Sequence, residues 1–141
     1  MRPTLDQYLM RLAQVAATRS TCVRRSVGCV LADAKGRVLS IAYNGVPAGA
    51  AHCRDGLVCY GTDLPPGQDS CEAVHAEQNA ILQCREPDAI HTAYVTLSPC
   101  KPCLKLLLNT GCRRIVVLQE HEDVWPKMHW ESLGREWEVL E

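Results

Sequence analysis

The chain has 141 residues, of which 47% are hydrophobic, and its formal net charge at pH 7 is −1. The length predicts a single domain spanning residues 1–141, and the lack of a basic excess argues against a nucleic acid as partner. We expect no membrane partner either, because no apolar run reaches the length of a bilayer-spanning helix and the chain opens without a secretory signal.

A helix, a hairpin and a long loop are predicted in the first half of the chain. Thr4 and Gln7 form a capping-box pattern, and apolar residues follow at helical spacing, namely Leu5, Tyr8, Leu9, Leu12, Val15 and Ala16. Residues 27–32 and 37–43 are rich in β-formers and flank a turn at 33–36, which predicts a hairpin. Residues 44–70 are rich in Gly, Pro and Asp. A connection of that length is either functional or pinned by something.

Strands and helices alternate in the second half. Helices are predicted at residues 72–84, from Ser98-Pro99 to Gly111 with Ser98 as the N-cap, and at 124–133. Strands are predicted at 92–97, 114–118 and near 137–140. This alternation indicates an α/β layer structure.

The most informative motif is His75-Ala76-Glu77, which is followed by Pro99-Cys100-Lys101-Pro102-Cys103. This combination is the signature of zinc-dependent base deaminases. His75, Cys100 and Cys103 supply three zinc ligands, and three protein ligands leave the fourth tetrahedral position open for water, as in catalytic zinc sites. Glu77 is not needed as a ligand and is predicted to move protons between water and the substrate. Since residues two apart diverge in mid-helix, His75 and Glu77 are expected near a helix start.

Two alternatives stay open on the motif alone. Cys100 and Cys103 could form a structural zinc knuckle in a non-enzymatic interaction module, but Glu77 then has no purpose. Alternatively, the enzyme deaminates another cytosine or adenine substrate, such as a nucleoside or a base of RNA or DNA. The near-neutral charge disfavours the nucleic-acid substrates.

Several blocks resemble deoxycytidylate (dCMP) deaminases in the expected order. They are residues 20–28, 42–49, 75–81, 94–100 and 111–116. The resemblance implies the cytidine-deaminase fold, a three-layer αβα sandwich with a mixed five-stranded sheet. It also implies hydrolytic deamination of dCMP to dUMP and ammonia, activation by dCTP, inhibition by dTTP with Mg²⁺, and a homo-oligomer such as a hexamer.

The resemblance implies roles for individual residues as well. Asn44 would contact the deoxyribose, the Ala76 backbone would contact the base, and an effector site would lie near Tyr43, Asn44 and Gly45. Many relatives have Gly where Ala42 stands, and many have an aromatic residue near the substrate phosphate where this chain has His121-Glu122-Asp123.

No phosphate contact can therefore be carried over from the relatives. Arg24 and Arg25 are the candidates from the sequence itself, because a guanidinium suits a phosphate. The alternative is that both arginines face solvent.

The remaining cysteines suggest a second metal site. The chain has nine cysteines, an odd number in a chain without a secretory signal, which favours metal sites and a reducing cytoplasm over a disulfide framework. Four of them lie in or near the long loop and predict a closed structural zinc site, with His52 as an alternative ligand: Cys22, Cys53, Cys59 and Cys71. The alternative is four free thiols.

Overall fold

A computed structural model describes residues 1–22, 25–50 and 73–141. These ranges contain helices α1 (Leu5–Ala17), α2 (Ala76–Gln83), α3 (Lys101–Leu108) and α4 (Trp125–Ser132), and strands β1 (Gly28–Ala32), β2 (Val38–Tyr43), β3 (Thr92–Leu97), β4 (Arg114–Gln119) and β5 (Glu136–Val139). A short 3-10 turn, Pro87–Ala89, precedes β3. Within the described ranges, no helix has both the length and the apolar character needed to cross a membrane.

The five strands form one mixed sheet in the order β2-β1-β3-β4-β5. β1 runs antiparallel to both of its neighbours, whereas β3, β4 and β5 are parallel to one another. The predicted hairpin between β1 and β2 is confirmed. Asp33 Oδ1 closes its turn by accepting hydrogen bonds from the backbone N–H groups of Lys35 and Arg37, and Gly36 adopts the left-handed φ of 81° that the turn requires.

Alternate residues of the central strands face opposite helical layers. Cys29 and Leu31 of β1 belong to a buried cluster that also contains residues of α2, α3 and α4. Val30 and Ala32 of the same strand belong to a second cluster, which packs against α1. This period of two is what a strand covered on both faces produces. The fold is the predicted three-layer αβα sandwich.

Helix α1 has the predicted capping box, but only part of its predicted apolar stripe is buried, namely Leu9 and Ala16. Thr4 Oγ1 accepts from the Gln7 backbone, and Gln7 Oε1 accepts from the Thr4 backbone. The buried residues are Leu9, Met10, Ala13 and Ala16, whereas Leu5, Tyr8 and Val15 are 50%, 49% and 65% exposed. The apolar stripe of α1 is therefore wider than the surface that the sheet covers.

Two helices begin later than the sequence predicts. The chain before α2 is extended because Val74 bridges to Gly45, so the helix begins after His75 and not at residue 72. The N-cap of α3 is Cys100, not Ser98. The hydroxyl of Ser98 is engaged elsewhere, since it donates to the Gln119 carbonyl and accepts from the His121 N–H.

Candidate active site

Three soft donor atoms converge where α2 and α3 begin. His75 is the N-cap of α2, Cys100 is the N-cap of α3, and Cys103 lies in the first turn of α3. His75 Nδ1 is 3.1 Å from Cys103 Sγ and 3.3 Å from Cys100 Sγ. All three donor atoms lie within 4.8 Å of one another.

This donor set fits Zn²⁺. A tetrahedral zinc with its usual bond lengths separates nitrogen and sulfur donors by about 3.5–3.8 Å, and the His75 Nδ1 distances of 3.1 and 3.3 Å need only a small expansion to reach that value. Two thiolates and an imidazole are the ligand types that zinc favours. Three protein donors leave one tetrahedral position for a small oxygen ligand.

The two thiols are electrostatically unequal. A hydrogen bond from Cys103 lowers the pKa of Cys100 to about 4, and His75 acts in the same direction against the opposing effect of burial. The same hydrogen bond and burial raise the pKa of the Cys103 thiol. The lowered pKa favours the thiolate form of Cys100, which is the form that binds a metal.

Glu77 is a buried carboxyl beside these donors. It is only 4% exposed, and burial followed by the nearby Cys100 thiolate raises its pKa to about 7. A carboxyl with a pKa near neutrality can both accept and release a proton, which suits a general acid and base. Its location in the first turn of α2, next to the His75 N-cap, agrees with the expectation that the pair lies near a helix start.

The site opens into a cavity of about 260 Å³. The described residues that line it come from five separate parts of the chain: Cys22, Arg25, Val27, Asn44, Ala73, His75, Ala76, Glu77, Leu97, Ser98, Pro99, Cys100, Lys101, Pro102, His121, Asp123 and Pro126. Metal donors, a buried acid and two basic side chains, Arg25 and Lys101, thus share one concave space, which is the usual form of a small-molecule site.

Residues 3–119 match the family model described as the cytidine and deoxycytidylate deaminase zinc-binding region. The chain belongs to this deaminase family. A deoxycytidylate deaminase of Mycobacterium phage D29 is 42% identical over 126 residues, which cover 84% of this chain and 98% of the phage protein. The deoxycytidylate deaminases of Schizosaccharomyces pombe and Saccharomyces cerevisiae are 36% and 35% identical, but the match covers only 37% and 39% of their lengths.

A solved structure supports the same assignment. The dCMP deaminase of cyanophage S-TIM5, crystallised in complex with dCMP and dUMP, superposes on this deaminase with a TM-score of 0.79. It is 25% identical, and the match covers 99% of each chain. The five-stranded sheet and its helices are therefore those of the cytidine-deaminase fold.

In this deaminase, the described residues that are predicted to bind the substrate lie around Asn44. This side chain is 7% exposed, and its amide holds the loop before β1: Asn44 Oδ1 accepts from the Val27 N–H at 2.9 Å, and Asn44 Nδ2 donates to the Arg25 carbonyl at 2.9 Å. Arg25, Asn44 and the buried Ala76 all line the cavity. Asn44 therefore positions Arg25 as well as facing the cavity.

Tyr43 and Gly45, which are expected near an effector site, lie on either side of Asn44 in the chain. The Arg19 guanidinium carbon lies 5.9 Å from the centroid of the Tyr43 ring. Gly45 forms a β-bridge with Val74. Arg24 lies outside the described residues.

The predicted second zinc site falls mostly outside the described residues as well. His52, Cys53, Cys59 and Cys71 belong to the part that is not described, and only Cys22 can be located. Among the described residues it has no disulfide partner; it is 5% exposed and lines the cavity.

Four polar residues of the cavity wall received no site role from the sequence: Ser98, Lys101, His121 and Asp123. For residues 121–123, the sequence indicates only that they stand where many relatives have an aromatic residue near the substrate phosphate. Ser98 accepts from the His121 N–H, and His121 Nδ1 accepts from the Asp123 N–H. The Lys101 ammonium lies 4.7 Å from the centroid of the Trp125 ring. Lys101 is part of the C-x-x-C segment and Ser98 precedes it, but His121 and Asp123 follow β4, and only the parallel pairing of β3 with β4 brings them to this edge.

Proposed function

We propose that this chain is a zinc-dependent dCMP deaminase, which hydrolyses dCMP to dUMP and ammonia. The observation that carries the proposal is the convergence of His75, Cys100 and Cys103 with the buried Glu77 in one cavity. The names of the relatives in the phage and the two yeasts and the dCMP and dUMP complex of the cyanophage protein support this substrate.

The metal would be held by His75, Cys100 and Cys103, and when bound it supplies a water molecule of lowered pKa. Glu77 accepts a proton from that water. It would pass this proton to the ring nitrogen while the water oxygen bonds to C4. It would then take the second proton from the new C4 hydroxyl and give it to the amine as the C4–N bond breaks, so that water and dCMP yield dUMP and ammonia. The backbone of Ala76 contacts the base, and the Asn44 side chain faces the deoxyribose with the hydrogen-bonding capacity that its loop contacts leave over.

The phosphate is assigned to Arg25. Within the described part of the chain, the Arg25 guanidinium forms no ion pair and no side-chain hydrogen bond, while its carbonyl is fixed by Asn44 and by Ser20 Oγ at 3.3 Å. A free cation on a fixed backbone at the cavity wall is suited to a phosphate. Arg24 stays a second candidate from the sequence.

Ultraviolet assay of the zinc-loaded chain with dCMP and with deoxycytidine tests this proposal. Conversion of dCMP to dUMP is the expected result, and its absence in protein with a full zinc complement would overturn the proposal. Arg25→Glu should reduce kcat/KM for dCMP far more than for deoxycytidine, and the matched Arg11→Glu, at an exposed site on α1, should change neither. Equal losses on both substrates would contradict the phosphate contact.

Further properties extend this proposal on the basis of the family resemblance. They are activation by dCTP, inhibition by dTTP with Mg²⁺ at a site near Tyr43, Asn44 and Gly45, assembly into a homo-oligomer such as a hexamer, a structural zinc that includes Cys22, and a cytoplasmic location. Dose–response curves with each nucleotide, sedimentation analysis and zinc counting would test them. One zinc per chain would argue against the second site.

The second candidate function is deamination of another cytosine or adenine base, including one in RNA or DNA. Salt-dependent binding to tRNA or single-stranded DNA would favour this alternative. The formal net charge of −1 disfavours it.

A further inference from the structure

The candidate active site continues into a second space at its mouth. A crevice along the ends of β3 and β4 shares four wall residues with the catalytic cavity, namely Arg25, Val27, Leu97 and His121. The walls of the crevice that are not shared include two acids, Glu120 and Glu122. Among the described residues, Arg25 is thus the charged side chain at the junction, and the two carboxylates lie on the far side of it.

The loop that carries the two acids is held in position. His121 lies between them, and its backbone N–H donates to Ser98 Oγ at 3.1 Å. Ser98 Oγ in turn contacts the Gln119 carbonyl at the end of β4. The backbone of the loop is therefore tied to the end of β3, which keeps the two acidic residues at the wall of the crevice.

We infer that Glu120 and Glu122 make this enzyme select nucleoside monophosphates over diphosphates and triphosphates, an inference that rests on the proposed function. A cytosine held at Glu77 directs the phosphate of its nucleotide toward Arg25 at the shared wall. A second or third phosphate then extends into the crevice, where the two carboxylates repel it. The first phosphate meets the Arg25 guanidinium, which has no ion pair among the described residues, whereas the additional charges meet like charge.

The state of the two carboxylates supports this selection. Glu122 forms no ion pair within the described ranges, and Glu120 has only Lys127, whose Nζ is 4.0 Å from Glu120 Oε2 with both side chains about half exposed. Such a pair is weak in water, so Lys127 offsets little of the negative potential that the two acids place at the crevice. Since they are exposed, salt should screen their repulsion of a polyphosphate.

An internal competition measures this selection directly. An equimolar mixture of dCMP, dCDP and dCTP is given to the zinc-loaded enzyme, and the initial amounts of dUMP, dUDP and dUTP are quantified by chromatography. The product ratios equal the ratios of kcat/KM whatever effector is bound, because the three substrates compete for the same enzyme in one solution. The parent should form mainly dUMP.

The double variant Glu120→Gln/Glu122→Gln keeps side-chain size and removes both charges. We expect its yield of dUDP and dUTP relative to dUMP to rise about tenfold at low ionic strength, and the difference from the parent to shrink at about 0.5 M salt. The control Glu131→Gln/Glu141→Gln changes the net charge equally at exposed positions outside both spaces and should leave the ratios unchanged.

Three results would overturn the inference: a parent that deaminates the three nucleotides equally, an unchanged ratio in the double variant, or an equal shift in the control. Calorimetric titration with dUMP and dUTP makes the same comparison without turnover. The two hypotheses can fail separately. If the protein deaminates no nucleotide, the proposed function is refuted. If that same protein binds dUMP more tightly than dUTP and the double variant does not, the charge selection is upheld.

Discussion

Glu77→Gln is the most informative single substitution. Glu77 is almost fully buried, at 4% exposure, and glutamine has nearly the same shape, so the packing at the start of α2 is retained. The substitution removes the carboxyl group that is assigned to both proton transfers. Burial raises the pKa of this group to about 7. General acid–base catalysis contributes typically about 10²- to 10⁴-fold, which corresponds to about 2.7–5.4 kcal/mol of transition-state stabilisation.

The expected outcome is a loss of kcat of that size with the metal retained. Since the donors are His75, Cys100 and Cys103, the zinc content of the variant should equal that of the parent in atomic absorption. Turnover is followed by the ultraviolet change from dCMP to dUMP. Glu86→Gln, at an exposed position after α2, is the matched control and should keep parental activity.

Two results would refute this reasoning. Parental turnover in Glu77→Gln would remove Glu77 from the proton path, and loss of zinc would make it a ligand. A further check concerns stability without metal. Because burial disfavours the charged carboxylate, the metal-free variant should resist urea above pH 7 at least as well as the metal-free parent, and a large loss there would indicate a structural role.

Three other predictions follow from contacts described by the structure. His75→Ala should lose one zinc per chain and all measurable dCMP turnover; unchanged metal content would disprove its ligand role. Gly28→Ala would put a methyl group 1.8 Å from the Ala13 carbonyl oxygen, and urea melts should show a loss of about 1–3 kcal/mol or more. Asp6→Asn weakens two hydrogen bonds from Arg114, at 2.9 and 2.7 Å, and should cost about 1–2 kcal/mol at pH 7. The hydrogen bond from Arg114 lowers the pKa of Asp6 below 3.8 in the folded protein. The stability that Asp6 contributes is therefore fully present above pH 3.8 and is lost as the pH falls through the lower, folded-state pKa. The free energies of unfolding of parent and variant should converge in acid.

The sequence predicted the element order and most strand bounds because periodicity is a local property. Residues 92–97 were predicted as a strand and form β3 with the same bounds. The starts of α2 and α3 were predicted too early because distant partners decide them. Val74 is held extended by Gly45, and the Ser98 hydroxyl bonds to residues beyond β4 instead of capping α3.

The residues of the candidate site also fall into two groups: those that a local sequence pattern predicts and those that only the folded structure brings together. His75, Glu77, Cys100 and Cys103 could be chosen from the sequence because their spacing is itself a chemical pattern. Other polar residues of the cavity wall carry no such pattern. Ser98, His121 and Asp123 are brought to the site by the parallel pairing of β3 with β4, and the last two have no role from the sequence beyond standing where many relatives have an aromatic residue. The double use of the Asn44 amide, which ties Val27 and Arg25, likewise requires the folded loop.

The place of the metal donors has a consequence for protein engineering. His75 and Cys100 stand where two helices begin, so the relative position of the two helix starts fixes the donor spacing, and the outer faces of the helices contribute nothing to it. Leu82 on α2 and Leu106 on α3 are 78% and 44% exposed. Such positions can be substituted to improve solubility or to attach the protein to a surface, and metal binding should not change.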